Sequence, residues 1–216
     1  MKLLLDASGP TIHIGLLHQR QWVARCTSES PPLETLFSGV RQCLKQARVT
    51  LQEITGFVYC DGPGSTLGLR LTLMALKAWR ALPQWATAPL YAYHRLHMAA
   101  ALATAQGIAV KPFRLITEFR QGSWHCLKAT TSSAISSAVL STLSNDELKA
   151  LTGTIFYLPQ RKRATPLTIQ ARRLAYDLNH LPNLLGHSDI FRTTYVPKAF
   201  AVASAPYRTW KPERHR

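Results

Sequence analysis

Acidic side chains are scarce in this chain of 216 residues. Eleven Asp and Glu stand against 26 Lys and Arg, a formal net charge of +15. Charge of either sign is thin, at 17% of residues against 46% apolar, which excludes a disordered polyelectrolyte. No apolar run approaches the roughly 20 residues that span a bilayer, so no membrane partner is expected. The opening apolar stretch is interrupted by Asp6, too soon for a secretory signal, and a cytoplasmic protein is expected. Cysteine is confined to Cys26, Cys43, Cys60 and Cys126, without a C-x-x-C pair or a histidine at zinc-finger spacing. Each falls on an apolar stretch, so the four are read as small buried hydrophobes of a reducing compartment. The length is enough to bury a real core, as one large domain or two lobes.

The basic excess is uneven. Residues 161–216 carry 11 basic and 3 acidic side chains, residues 1–160 carry 15 and 8. A basic tail attracts polyanions, of which RNA is the usual cytoplasmic one; a solvated surface is the competing reading. Arg161-Lys162-Arg163 is the one basic triplet, and no RNA-binding signature accompanies it.

Pattern and turn residues predict strands over 2–6, 11–17 and 21–26, an antiparallel meander. Ser30-Pro31 predicts a capped helix over 31–48. Its apolar stripe holds Leu33, Leu36, Phe37, Val40 and Cys43; Thr35, Ser38, Gly39 and Gln42 make a face of short side chains. A strand over 55–60, a sharp loop at Asp61-Gly62-Pro63-Gly64-Ser65 and a helix over 66–82 follow. A strand over 90–93 continues a parallel crossover, and a helix over 95–106 comes next. Strands over 113–119 and 124–129 form a hairpin about Gln121-Gly122; a short helix over 145–151, a strand over 154–158 and a helix over 168–178 complete the assignable elements. No internal repeat is visible.

Two features of the 61–82 region bear on function. The glycine loop opens a helix, whose free N–H groups suit an anion, but the Lys and Ser/Thr of a Walker loop are absent, so a tight turn is the stronger reading. On the helix, Leu67, Leu71, Met74 and Ala75 fall on one face, read as core. Leu69, Leu73 and Leu76 fall opposite, so a second burying partner is expected there: a neighbouring helix or another subunit.

The segment Gly62-Pro63-Gly64-Ser65-Thr66-Leu67-Gly68-Leu69-Arg70 resembles the GPGSFTGLR signature of the bacterial tRNA threonylcarbamoyladenosine biosynthesis family TsaB. Leu3-Leu4-Leu5-Asp6-Ala7-Ser8 is similar to that family's LALDTS opening, and the hairpin around Glu118-Phe119-Arg120-Gln121-Gly122 to its DARRGEVY segment. Thr66-Leu67 stands where the family has Phe-Thr, and Glu29-Ser30-Pro31-Pro32 replaces its His-Ser-Glu. The resemblance covers residues 1 to about 130.

It implies an α/β actin-like (ribonuclease H-like) fold of two lobes, with mixed sheets flanked by helices. The expected division is a lobe over 1–108 and a smaller, divergent one with the basic tail over 109–216. It implies a non-catalytic scaffold subunit with no cofactor or metal of its own. Its partners would be a TsaD-type catalytic subunit and a TsaE-type ATPase, in a complex that modifies adenosine 37 of tRNA. The family's first two helices dock the catalytic subunit, which points here to Leu69, Leu73, Leu76, Thr35, Ser38, Gly39 and Gln42. Gly62, Pro63, Gly64, Ser65, Gly68 and Arg70 form the glycine loop, structural or anion-binding. Asp6 and Ser8 are the residues that an actin-like nucleotide enzyme would use; turn capping is the simpler role for Asp6. A homodimer through the same leucines is the third reading. His94 and His97, three apart, lack the spacing and the third ligand of the catalytic paralogue's metal pair and are read as surface or capping residues.

Overall fold

The computed structural model describes residues 1–120, 122–131, 134–160, 166–185 and 189–200. The chain begins with the expected meander, β1 (Lys2–Asp6), β2 (Ile12–His18) and β3 (Gln21–Ser28), because each connection is too short for anything but antiparallel pairing. Helix α1 (Pro32–Ala47) then crosses over, and β4 (Gly56–Gly62) enters parallel to β1. Pro31, not Ser30, is the N-cap residue of α1, and no side chain caps it. After α2 (Thr66–Arg80), β5 (Leu90–His94) pairs parallel to β4. Strand β4 is buried along its whole length, as befits a central strand covered on both faces.

Helix α3 (Arg95–Ala105) leads to the second sheet and is buried on nearly every side. Its alanines permit close approach on two faces. Leu96, Ala99, Ala100 and Ala103 pack into the second sheet's core, while Met98, Ala101 and Leu102 pack under Val58, Cys60 and Tyr93 of the first. The second sheet starts with another meander, β6 (Phe113–Arg120), β7 (Ser123–Ala129) and β8 (Val139–Ser144). Helix α4 (Asn145–Lys149) opens with a capping box between Ser144 and Glu147. Strands β9 (Ile155–Tyr157) and β10 (Arg172–Arg173) then add in parallel. The second sheet, β10-β9-β6-β7-β8, repeats the order β5-β4-β1-β2-β3 found within the first, although the sequence shows no repeat.

Three expectations differ. Residues 168–178 are not a helix: Arg172 and Arg173 pair with β9, and the Leu174 N–H donates to the Tyr157 carbonyl. Strand β8, over the stretch between 129 and 145 for which no element is expected, is an edge strand whose polar residues face solvent. The chain also does not stay in its second lobe. After α5 (Leu181–Leu184), strand β11 (Phe191–Thr194) returns to the first sheet, antiparallel to β5, so the 1–108 and 109–216 division fails there. Tyr91 and Tyr93 leave an open β5 edge that β11 covers. The Arg161-Lys162-Arg163 triplet and residues 201–216 of the basic tail lie outside the described residues.

Candidate functional site

The glycine loop is a packing device. A Cβ on Gly64 would sit 2.2 Å from the Ser8 carbonyl oxygen, and one on Gly68 only 1.9 Å from that of Ala7. Both would meet backbone, which cannot rotate away, so only glycine lets α2 start this close to the β1–β2 turn. The Ser65 N–H donates to the Ser8 carbonyl at 2.8 Å, and the Ser65 hydroxyl accepts from the Gly68 N–H at 3.2 Å. Gly62 takes φ +128°, followed by Pro63. The turn reading accounts for these contacts: the N–H groups of Ser65 and Gly68 are bonded within the protein, and Arg70 is exposed.

That close approach turns α2. Gly68, Thr72, Ala75, Leu76 and Trp79 form its buried face, and Trp79 stacks on Phe57 with ring centres 5.5 Å apart. Leu76 is fully buried, Leu73 packs against the same core, and Leu69 is half-buried over Gly62. These three leucines are thus not a free partner face. Of the face read as core, Ala75 is buried and Leu71 packs on the core, but Leu67 is 56% and Met74 66% exposed.

Helix α1 is turned in the same sense. Thr35 and Gly39 are buried against this chain's own sheet, and Gln42 is exposed but bonded to it. The Thr35 hydroxyl bonds Ser28, Gly39 is roofed by Ile14, and Gln42 accepts from the Cys26 thiol. Ser38 is exposed and donates to the Glu34 carbonyl. On the side of α1 turned toward α2, Leu33 is 71% and Phe37 51% exposed, and Phe37 meets Trp79 edge-on at 6.1 Å. Leu33 and Phe37 of α1 and Leu67 and Met74 of α2 are thus the large apolar side chains that these two helices leave exposed. Hydropathy counting assigned them to the core. The small residues Gly64, Gly68 and Thr72, at steps of four, were the available sign that the core face lay elsewhere.

Asp6 lies fully buried at the end of β1. One carboxylate oxygen accepts from the Ser8 N–H and hydroxyl at 2.8 and 2.5 Å; the other accepts from the Tyr93 and Tyr176 hydroxyls at 2.6 and 2.8 Å. To meet a metal-bound phosphate it would have to give up these donors. His94 and His97 are not surface residues. His94 is buried, and the two Nδ1 atoms lie 3.1 Å apart, sharing one proton. Burial pushes His94 down to about 2, so the pair stays neutral. Among the described residues no group of three His, Cys, Asp or Glu is placed to hold a metal, and no helix is long and apolar enough to cross a membrane. Cys43, Cys60 and Cys126 are buried and Cys26 half-buried; burial raises Cys43 to about 12 and Cys126 to about 11, so neither is a thiolate nucleophile.

With this geometry the chain superposes on YeaZ from Pseudomonas aeruginosa with a TM-score of 0.60, at 19% identity over 86% of this chain and 88% of that one. The chain has the YeaZ fold. An uncharacterised protein with similarity to peptidase YeaZ, also from Pseudomonas aeruginosa, matches equally, at TM-score 0.60 and 20% identity, covering 87% of this chain and 90% of its own. The two-sheet α/β architecture is thus the actin-like one expected. No family model and no curated protein matches the sequence. The YeaZ likeness spans both lobes, so it includes the region after residue 130 that sequence could not align.

Proposed function

We propose that this chain is a TsaB-type scaffold subunit of the tRNA threonylcarbamoyladenosine machinery, which docks a TsaD-type catalytic subunit through α1 and α2. The observation that carries this reading is the exposure of four large apolar side chains, Leu33 and Phe37 of α1 and Leu67 and Met74 of α2, on two helices that meet where Phe37 touches Trp79. Large apolar side chains left exposed on two packed helices are what a protein contact would cover. The fold shared with YeaZ, the TsaB protein, and the signature-like loop that positions α2 support the choice of partner. A TsaE-type ATPase would join the same complex, and tRNA would reach the basic surface through it. The four hydrogen bonds that engage Asp6 favour a scaffold over a nucleotide enzyme.

The test is capture of the chain by an immobilised TsaD-type protein. Wild type should be retained, and Met74→Glu should weaken capture at least tenfold with an unchanged melting temperature, since a charge would enter a desolvated contact. Failure of the wild type to bind overturns the proposal. Sedimentation of the isolated chain gives the homodimer reading its own outcome, a dimer that Met74→Glu dissociates.

A further inference from the structure

Arg95 is the bulkiest fully buried side chain among the described residues. It opens α3 and lies between the lobes, 1% exposed, with its guanidinium over the Tyr176 ring at 5.1 Å. Its Nη2 donates to the Pro159 carbonyl at 3.0 Å, but Nε and Nη1 have no partner. No carboxylate pairs with it among the described residues, and the buried acid nearby, Asp6, is already bonded to Ser8 and the two tyrosines. Burying a cation without a counter-charge costs several kcal/mol, and buried donors are almost always satisfied. An uncompensated buried guanidinium therefore points to something that completes it.

There is space for that group. Arg95 lines an interlobe cavity of about 400 Å³, within the size range of small-molecule sites. Gly9, Pro10, Thr11 and His13 wall it from the first lobe, Leu158 and Leu174 from the second. Both His13 ring nitrogens are buried and unpartnered, and burial lowers its pKa, so it offers a neutral donor or acceptor. A Cβ on Gly9 would come within 2.8 Å of Arg95 Nη2, so the bare glycine gives the guanidinium its place. A buried cation and a neutral imidazole inside, the exposed Arg173 at the rim and the leucines between them suit a negative charge on an apolar body.

We propose that this cavity binds a small organic acid, its carboxylate drawn to the uncompensated Arg95 guanidinium and its apolar part against Leu158 and Leu174. The site is separate from the exposed residues of α1 and α2 and does not depend on the docking role.

The experiment is a titration of the full chain with benzoate, with benzamide as the uncharged isostere and with inorganic phosphate as the other oxyanion source, followed by calorimetry and by the Arg95 Nε–H resonance. Benzoate should bind saturably in the millimolar range or below and shift that resonance, and benzamide should bind about tenfold more weakly or worse. Arg95→Met should lose benzoate binding by a similar factor. Should that variant fail to fold, Ala175→Trp at the exposed rim should block benzoate while leaving the fold intact. Equal binding of benzamide, an unmoved Arg95 resonance, undiminished binding by Ala175→Trp, or a response to phosphate alone would each overturn the assignment.

Discussion

Gly68→Ala tests the packing that sets α2, one of the two helices of the proposed interface. The new Cβ would fall 1.9 Å from the Ala7 carbonyl oxygen, and real Cβ contacts do not come under 3.0 Å, so α2 would have to retreat by about 1 Å. Overpacking of this kind costs about 1–3 kcal/mol, and the obstacle here is backbone, which puts the cost near about 3. Alanine returns about 1 kcal/mol of helix propensity. The net loss is about 2 kcal/mol, a fall in melting temperature of about 4–8 °C for a chain of this length. Gly107→Ala is the comparison: nothing lies within 4 Å of its Cβ, and its φ of +70° alone should cost about 1 kcal/mol. Because Leu67 precedes Gly68, the same shift should also weaken capture by the TsaD-type partner. Thermal denaturation beside the capture assay reads both effects. A Gly68→Ala variant as stable as wild type would refute the claim that this glycine sets the depth of α2.

Other perturbations probe neighbouring parts. Leu76→Ala should lose about 2–5 kcal/mol while Met74→Ala stays within about 0.5, and the reverse order in denaturant titration would put the core on the other face of α2. Tyr93→Phe removes one of two hydroxyls from a buried Asp6 oxygen and should cost about 1.5–3 kcal/mol; an unchanged melting curve would mean that Tyr176 suffices. Burial raises the Asp61 carboxyl from its ordinary 3.8 to about 7, against the pull of Arg192. A raised carboxyl pKa favours the fold fully below about pH 4, and that contribution is lost as pH rises to about 7. Asp61→Asn should therefore flatten stability between these limits and gain on wild type at pH 8. A variant that loses stability there would show the Arg192 pair to outweigh burial.

Sequence by itself determined the order of elements through the first hairpin of the second lobe, because strand alternation, helix stripes and Gly/Pro turns are local signals. It also marked Gly62-Pro63-Gly64-Ser65 as a turn, since the residue types that tolerate such a backbone are few. Only the tertiary structure decided which face of α2 is inside. Hydropathy favours Leu67 and Met74, but the approach of Gly64 and Gly68 to the carbonyls of Ser8 and Ala7 turns the helix and buries Leu76 and Trp79 instead. The same holds for β10 and β11, whose few residues carry no period and become strands only because β9 and β5 present open edges. Arg95 is the furthest case. Beside His94 and His97 it reads as one more basic residue of a +15 chain, and its burial between two lobes arises only when the two sheets close around α3.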